Sequence, residues 1–582
     1  MVACTNTDEP EVDNGGANGN EYYVSVAFSM PGSSPSRAAS LGGYEDGAAT
    51  DYTVNNAVFF FLNDAGNSVA DKCYVPNTTF AWDTQLQNPA DDEVAALTNS
   101  VIVMKNPTEI PSRIVAVVNT GDILGNRPTL TEIQNVANTY VTTTHTAVPT
   151  TGMVMSSTSY MDANNKLVIG APVSANNIYE SREQLNKDIK QTSTDAMAAK
   201  AVIIPVEKVL AKVTVSEKKT DGESDMTIED NVLSSLTGAG ATAGEATTKT
   251  DNVELTISID GWWLDSTPTQ SYLLKNMSNF AVTGSWWNDI ANTRSYWATS
   301  YAGTGQAYAN DTYGKQADLD ASLYTQENTS MAAAKTEQKD DKNDNVYEVN
   351  NRTKVVVAAT LKQNGSAVDL VKWYGNYYTK DGFLISLANL NDVKKYYTRT
   401  GEGTETSQFV YTTLTKDNLK IVYNTDKTGA GAEIGSSNQD NVLVEDEAIR
   451  NYEAAVVLAD GVEVYTLSVG ADGKTVGTKA TTATVNEELK KISKMQYWNG
   501  GRTYYYVELE HNSADSNAAF GVVRNHSYKL TLDGIKGLGT PVPNPEKVII
   551  PEKPGDDHSE TYISAKIQIL SYRVVSQNVT LQ

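Results

Sequence analysis

Few residues in this 582-residue sequence have the types and spacing of a reaction centre. Its four histidines, His145, His511, His526 and His558, are scattered. None forms an HExxH pair or other spacing that would put two ligands on one helix face, so they read as solvated or strand-face residues. There is no GxSxG, no glycine-rich phosphate loop and no Cys/His cluster. The acids of Asp340–Asp344 (DDKND) could offer oxygens to calcium, but no glycine and distal glutamate follow at EF-hand spacing, which favours a solvated loop. An enzyme is not expected, nor is any cofactor or metal.

The chemistry that the sequence does invite is covalent processing. The chain opens MVACTNTDEPEVDNGGANGN, small and apolar up to a cysteine and polar after it. This looks like the tail of a bacterial lipoprotein signal, with Cys4 as the lipid-bearing residue. Lipidation there leaves the other cysteine, Cys73, without a partner, so no disulfide framework is expected. Arg37 is the second point. It is the only basic residue between positions 1 and 71, and it stands in PGSSPSRAASLGGYEDGAA, a run without apolar periodicity that suits a protease. A cut between Arg37 and Ala38 would release everything before it.

What such a cut releases includes a strand. In EYYVSVAFSM, Tyr22, Val24, Val26, Phe28 and Met30 alternate with Tyr23, Ser25, Ala27 and Ser29, the period of a half-buried strand. The end of the chain matches it. TYISAKIQIL sets Ile563, Ala565, Ile567 and Ile569 against polar neighbours, and VVSQNVTLQ resumes with Val575, Val579 and Leu581. Ahead of these strands lie five prolines between Pro541 and Pro554, which favour an extended, solvated tether. The expectation is that cleavage frees the first strand and a proline-tethered C-terminal strand of another copy takes its place. A one-residue slip would turn every isoleucine outward, so side-chain pockets would fix the register. Head-to-tail contacts of this kind do not close, and they propagate a filament.

The remainder should be scaffold. A chain this long exceeds one core, and its wealth of Thr, Val, Asn, Gly and Tyr (31 Tyr) suits short strands and turns. A net charge of −25 argues against nucleic acid, because no basic stripe exists to neutralise phosphates. No run of about 18 apolar residues occurs. Strands are expected at 56–64, 93–106, 111–122, 201–218, 352–362, 373–387, 454–467, 503–512 and 526–538, and a short helix at 129–141 capped by Thr129 or Thr131. Residues 219–251, rich in Gly, Ala, Thr, Ser and acids, read as a boundary. The expected organisation is a lipopeptide and removable strand (1–37), an N-terminal β-sandwich (38–220), a C-terminal β-sandwich with long loops (221–540), and an arm with donor strands (541–582).

From Phe520 to Val542 the sequence resembles the fimbrillins of the Bacteroidales, the Mfa-like major fimbrial subunits of type V pili. The resemblance lies in Val522–Asn525 (VVRN), then Tyr528, Ile535–Lys536 and Leu538–Gly539 before a proline arm. The lipoprotein-like start, Arg37–Ala38, the Val-Ala-Val-Val-Asn of 115–119, the Ala-Lys-Val of 211–213 and the alternating end appear in family order, while roughly 265–350 and 388–450 match no landmark. The resemblance implies transthyretin-like sandwiches and a palmitate-bearing lipoprotein precursor exported to the outer membrane. It also implies maturation by an arginine-specific or trypsin-like protease, and a shaft or stalk subunit that joins its own copies and other pilus subunits in adhesion and biofilm formation.

A second reading rests on Trp262, Trp263, Trp286, Trp287 and Trp297 with Tyr296 and Tyr301, whose flat rings could stack on a glycan. It would make this a lipid-anchored carbohydrate-binding surface protein or a pilus-tip adhesin with a glycan or protein receptor. Core anchoring is the plainer role for these rings, and neither the Arg37 loop nor a tethered donor strand is needed by such a protein. A third reading keeps the protein monomeric, its C-terminal strands folded onto its own domain.

Overall fold

The structure, a computed structural model, describes residues 21–31, 53–76, 94–139, 152–161, 167–180, 202–217, 255–276, 317–328, 352–402, 409–423, 454–511 and 521–542, apart from single positions within them, along with short pieces between and the strands 563–571 and 573–581. The fold is mainly β, as composition and alternation imply. Its first sheet contains β1 (Glu21–Pro31), β2 (Ala57–Leu62), β3 (Val94–Lys105), β4 (Arg113–Val118), β5 (Met155–Ser157) and β6 (Val202–Lys208). The order runs β3, β1, β6, β5, β4, β2 and Cys73–Val75, with Ile178–Tyr179 beside β6 on the same edge of β1.

The unbroken apolar run of β2 is explained by burial on both sides. Ala57, Phe59 and Phe61 pack with Val24, Val26, Ile102 and Ile204 on one face, while Val58, Phe60 and Leu62 meet Val115, Val117 and Ile133 on the other. Leu273 and Leu274, from far downstream, complete that second face. Ile133 comes from α1 (Leu130–Gln134), which is shorter than the sequence suggests. Thr129 caps it by accepting from the Glu132 N–H, and the chain is again extended at Ala137–Thr139, where it pairs with Gln270–Tyr272.

The stretch 201–218, expected as one strand closing the first unit, is two. After β6 a single residue, Val209, passes the chain to β7 (Leu210–Glu217), which belongs to a different sheet. There β7 lies between β10 (Ser322–Gln326) and β13 (His526–Ile535), parallel to the latter, once β8 (Leu255–Asp265) and β9 (Gln270–Tyr272) have intervened in the chain. Facing it is a sheet of β8, β11 (Lys354–Gln363) and β12 (Arg502–Glu508). Val213, Val215, Tyr528 and Leu530 from one sheet share a core with Ile257, Trp262, Val357 and Tyr505 from the other.

Residues 371–497 gather a third core of their own. Here the expected strand 373–387 is strand at Trp373, the end of Leu370–Trp373, and again at Asn376–Thr379, and then becomes α2 (Lys380–Ala388). Thr379 caps it through the Gly382 N–H, and Phe383, Leu384, Leu387 and Ala388 are buried at helical spacing. A further helix, α3 (Thr482–Ile492), buries Val485 and Leu489 against the same core. Another correction concerns Cys73, which is buried and disulfide-bonded although the sequence leaves it unpartnered; Cys4 lies outside the described residues.

Candidate assembly site

β1 is an interior strand. One edge pairs with β3 antiparallel from Glu21↔Lys105 to Pro31↔Val94; the other pairs antiparallel with Ile178–Tyr179 and then parallel with β6 from Val26↔Val202 to Ser29↔Pro205. Alternation puts Val24 and Val26, at 0% and 1% exposure, into the core, with Tyr22 half-buried at its margin. Phe28 takes its place at backbone level opposite Ile204 and Thr98. Met30 falls at the register shift near the strand's end, and the side chains of Phe28 and Met30 are outside the described residues. Arg37 and Ala38 also lie outside them. Because β3 has β1 as its ladder partner among the described strands, losing β1 strips backbone partners from β3 and β6 together.

The chain ends in two strands, β14 (Ile563–Ser571) and β15 (Arg573–Leu581), joined as a hairpin. Ile563, Ala565 and Ile569 stand opposite Leu581, Val579 and Val575, with Ile567 in the same strand. β15 runs parallel to β13 of its own chain, from His526↔Arg573 to Ile535↔Leu581. The structure therefore brings the C-terminal strands to the parent sheet, not to the β1 position. Their side chains are outside the described residues.

The two regions meet at a joint absent from the sequence reading. The Asn525 N–H donates to the Leu210 carbonyl at 3.1 Å, and the Lys208 N–H donates to Asn525 Oδ1 at 3.4 Å, so the turn between β6 and β7 is clasped from the start of β13. Asn525 holds φ 57°, a conformation that asparagine tolerates. Beside it lie four fully buried charges. Arg524 donates to both carboxylate oxygens of Glu327 and to the carbonyls of Tyr272 and Leu273. Lys275 Nζ meets Glu207 Oε2 at 2.8 Å. Burial pushes the Glu207 carboxyl up, against the pull of Lys275 and Arg524. Burial also works against the Arg524 charge, but Glu327 beside it holds the guanidinium pKa above its ordinary value. The only sequence signal was the VVRN landmark, which contains Arg524 and Asn525 without revealing their partners.

The arm is also anchored. Thr540–Pro541 pairs with β12, Tyr505 Oη donates to the Gly537 carbonyl at 3.0 Å, and Thr503 Oγ1 donates to the carbonyls of Leu538 and Thr540 at 2.6 and 3.0 Å.

Other sequence candidates resolve differently. His511 and His526 are buried rather than solvated, His526 as the first strand residue of β13, and they lie around Tyr528, whose Oη accepts the Val523 N–H at 2.8 Å. His145, His558 and Asp340–Asp344 are outside the described residues, and among those described no cluster of His, Cys, Asp and Glu could hold a metal. Trp262 and Trp263 are core residues, and Tyr301 meets Tyr272 edge-on. Trp286, Trp287, Tyr296 and Trp297 are outside the described residues. Among the described residues no helix is long and apolar enough to cross a membrane.

Residues 496–578 match the family model of the C-terminal region of fimbrillin, the major fimbrial subunit protein type IV. That span runs from the strand before β12 through β13 and most of β15. Among solved structures, the chain is similar to the tip fimbrial protein Mfa3 from Porphyromonas gingivalis with C-terminal truncation, at 9% identity and a TM-score of 0.25 over 59% of this chain and 79% of that one. It is similar to a fimbrial assembly protein from Parabacteroides distasonis at 9% identity and a TM-score of 0.26 over 59% and 83%. No curated protein matches it.

Proposed function

We propose that this chain is a shaft or stalk subunit of a type V pilus, matured by a cut between Arg37 and Ala38 and polymerised by strand exchange. The fimbrillin match at residues 496–578 supports the pilin role. The observation that carries the exchange is the interior place of β1, with Val24 and Val26 in the core and a ladder on each edge. Removing such a strand leaves a cleft whose two rims are unpaired backbone, which an extended strand fills. A donor must run antiparallel to β3 and parallel to β6. Each fully buried valine or isoleucine that it supplies contributes roughly 1.5–3 kcal/mol. In this reading the removable set is Tyr22, Val24, Val26, Phe28 and Met30, and the donor set is Ile563, Ala565, Ile567, Ile569, Val575, Val579 and Leu581.

Pairing of β15 with its own β13 means that the hairpin leaves the parent before it enters another copy. The proline tether after Val542 then spans the gap and raises the local concentration of the donor. The test is limited trypsin treatment of the full chain, with sequencing of the new N-terminus and light scattering, beside a copy truncated after Asp557. Rapid cutting after Arg37, with long polymers from the full-length chain alone, supports strand exchange. A cut form that stays monomeric, or a truncated form that polymerises equally, overturns it.

A further inference from the structure

We propose that Lys275 and Glu207 condense into an amide that ties β6 covalently to the segment following β9. The two side chains are 0% exposed, and Nζ lies 2.8 Å from Oε2. Among the described residues, the second oxygen, Oε1, is buried without a hydrogen-bond partner. The neighbouring Arg524 does not serve it. Arg524 directs Nε and Nη2 to Glu327 and the rest of its fork to the Leu273 and Tyr272 carbonyls, so the Arg524–Glu327 pair is satisfied within itself. Lys275 and Glu207 are left as a reactive pair in a dry site, held in contact by elements 68 residues apart.

In water an ammonium and a carboxylate remain a salt. Inside a protein each charge loses several kcal/mol of hydration, and the pair relieves this by neutralising. Transfer of one proton from Lys275 Nζ to Glu207 gives an amine and a carboxylic acid, the direction in which burial already pushes Glu207. The amine lone pair attacks Cδ, the carbonyl π pair moves to oxygen, and a tetrahedral centre forms. Collapse re-forms the carbonyl, breaks one C–O bond, and sends the hydroxyl out with a proton from nitrogen as water. No oxidant or cofactor enters, and both charges disappear from the core. The amide would bridge the strand that flanks β1 and the segment whose Leu273 and Leu274 cover the back of the same sheet, so pulling force would pass through a covalent link.

The inference is independent of strand exchange and is tested on the full chain by intact mass under reducing and denaturing conditions. The expected mass is lower than the sequence mass by one water. Trypsin should then yield a branched peptide joining residues 201–208 to residues 250–294, since the modified Lys275 is no longer cleaved. Lys275→Met should return the full sequence mass. A lighter fraction that grows on incubation also supports the amide. A full sequence mass that persists in the folded wild-type protein, with separate peptides ending at Lys208 and Lys275, overturns it whether or not the variant folds.

Discussion

Val26 stands opposite Val202 in a parallel pair, and its other edge faces Ser100 in an antiparallel one. A strand bonded on both edges is held by two ladders as well as by its buried face, so β1 belongs to the core of the uncut molecule.

Val26→Ala removes both γ-methyl groups from a site 1% exposed. Each buried methyl contributes about 0.8 kcal/mol before the cavity is counted, so about 2–3 kcal/mol should be lost in urea unfolding. Val469→Ala, at a site 76% exposed, should change stability by less than about 0.5 kcal/mol. Equal effects from the two would show that β1 is not packed as described.

Arg524→Met leaves Glu327 buried and unpaired, and the expected loss is about 3–5 kcal/mol. Adding Glu327→Leu should restore most of it, because an apolar pair of similar volume avoids the desolvation that the ion pair must offset. Urea midpoints of the two single variants and the double variant decide this. A double variant as weak as Arg524→Met would show that the Tyr272 and Leu273 carbonyls, not Glu327, are what Arg524 serves.

The core also fixes how stability varies with pH. Burial pushes Asp265 up to about 8 despite hydrogen bonds from the Asp311 N–H and Trp263, and it pulls Lys354, its cross-strand neighbour, down to about 8. Between an unfolded carboxyl near 4 and the folded value near 8, the native state holds the extra proton. The stability from Asp265 is thus full below that lower limit and is lost as pH rises toward 8. Lys354 does the reverse, with stability falling as pH drops from its ordinary value toward 8. Stability should therefore show a minimum near pH 8, with limbs of at most about 1.4 kcal/mol per pH unit for one proton. Asp265→Asn should flatten the acid limb and leave the alkaline one, as read from urea midpoints across pH.

Alternation made most strands legible, β1 and the terminal pair among them, because a half-buried strand writes its two faces into every other residue. The switch at Val209 was only partly legible: the apolar alternation changes phase there, from Val202, Ile204 and Val206 to Val209, Ala211 and Val213, but the clasp on Lys208 comes from Asn525, 317 residues further on. The quartet of buried charges was invisible for the same reason, since Glu207, Lys275, Glu327 and Arg524 look like surface residues until the fold joins them. At α2 the aromatic run from Trp373 to Tyr378 favoured strand, and the Thr379 cap with its helical burial was the signal that outweighed it.

Where the arm begins is the remaining question, and Gly539 answers it. Its φ is +67°, and a Cβ there would lie 2.5 Å from Thr503 Oγ1 and 2.7 Å from the Tyr505 ring. Both partners are held: Thr503 by its bonds to Leu538 and Thr540, Tyr505 by its bond to Gly537. Gly539→Ala therefore adds backbone strain to a clash, roughly 1–3 kcal/mol, and should free residues 538–542 from β12. Hydrogen exchange should quicken at the Val542 N–H, which donates to the Arg502 carbonyl at 3.1 Å, with little change in β1. Thr503→Val should do the same more weakly, about 1 kcal/mol for a lost hydrogen bond. If the clamp sets the tether length, either variant shortens the lag of trypsin-triggered polymerisation by releasing more chain. Faster exchange at residues 538–542 with an unchanged lag would separate the anchor from assembly and place the working end of the arm beyond the clamp.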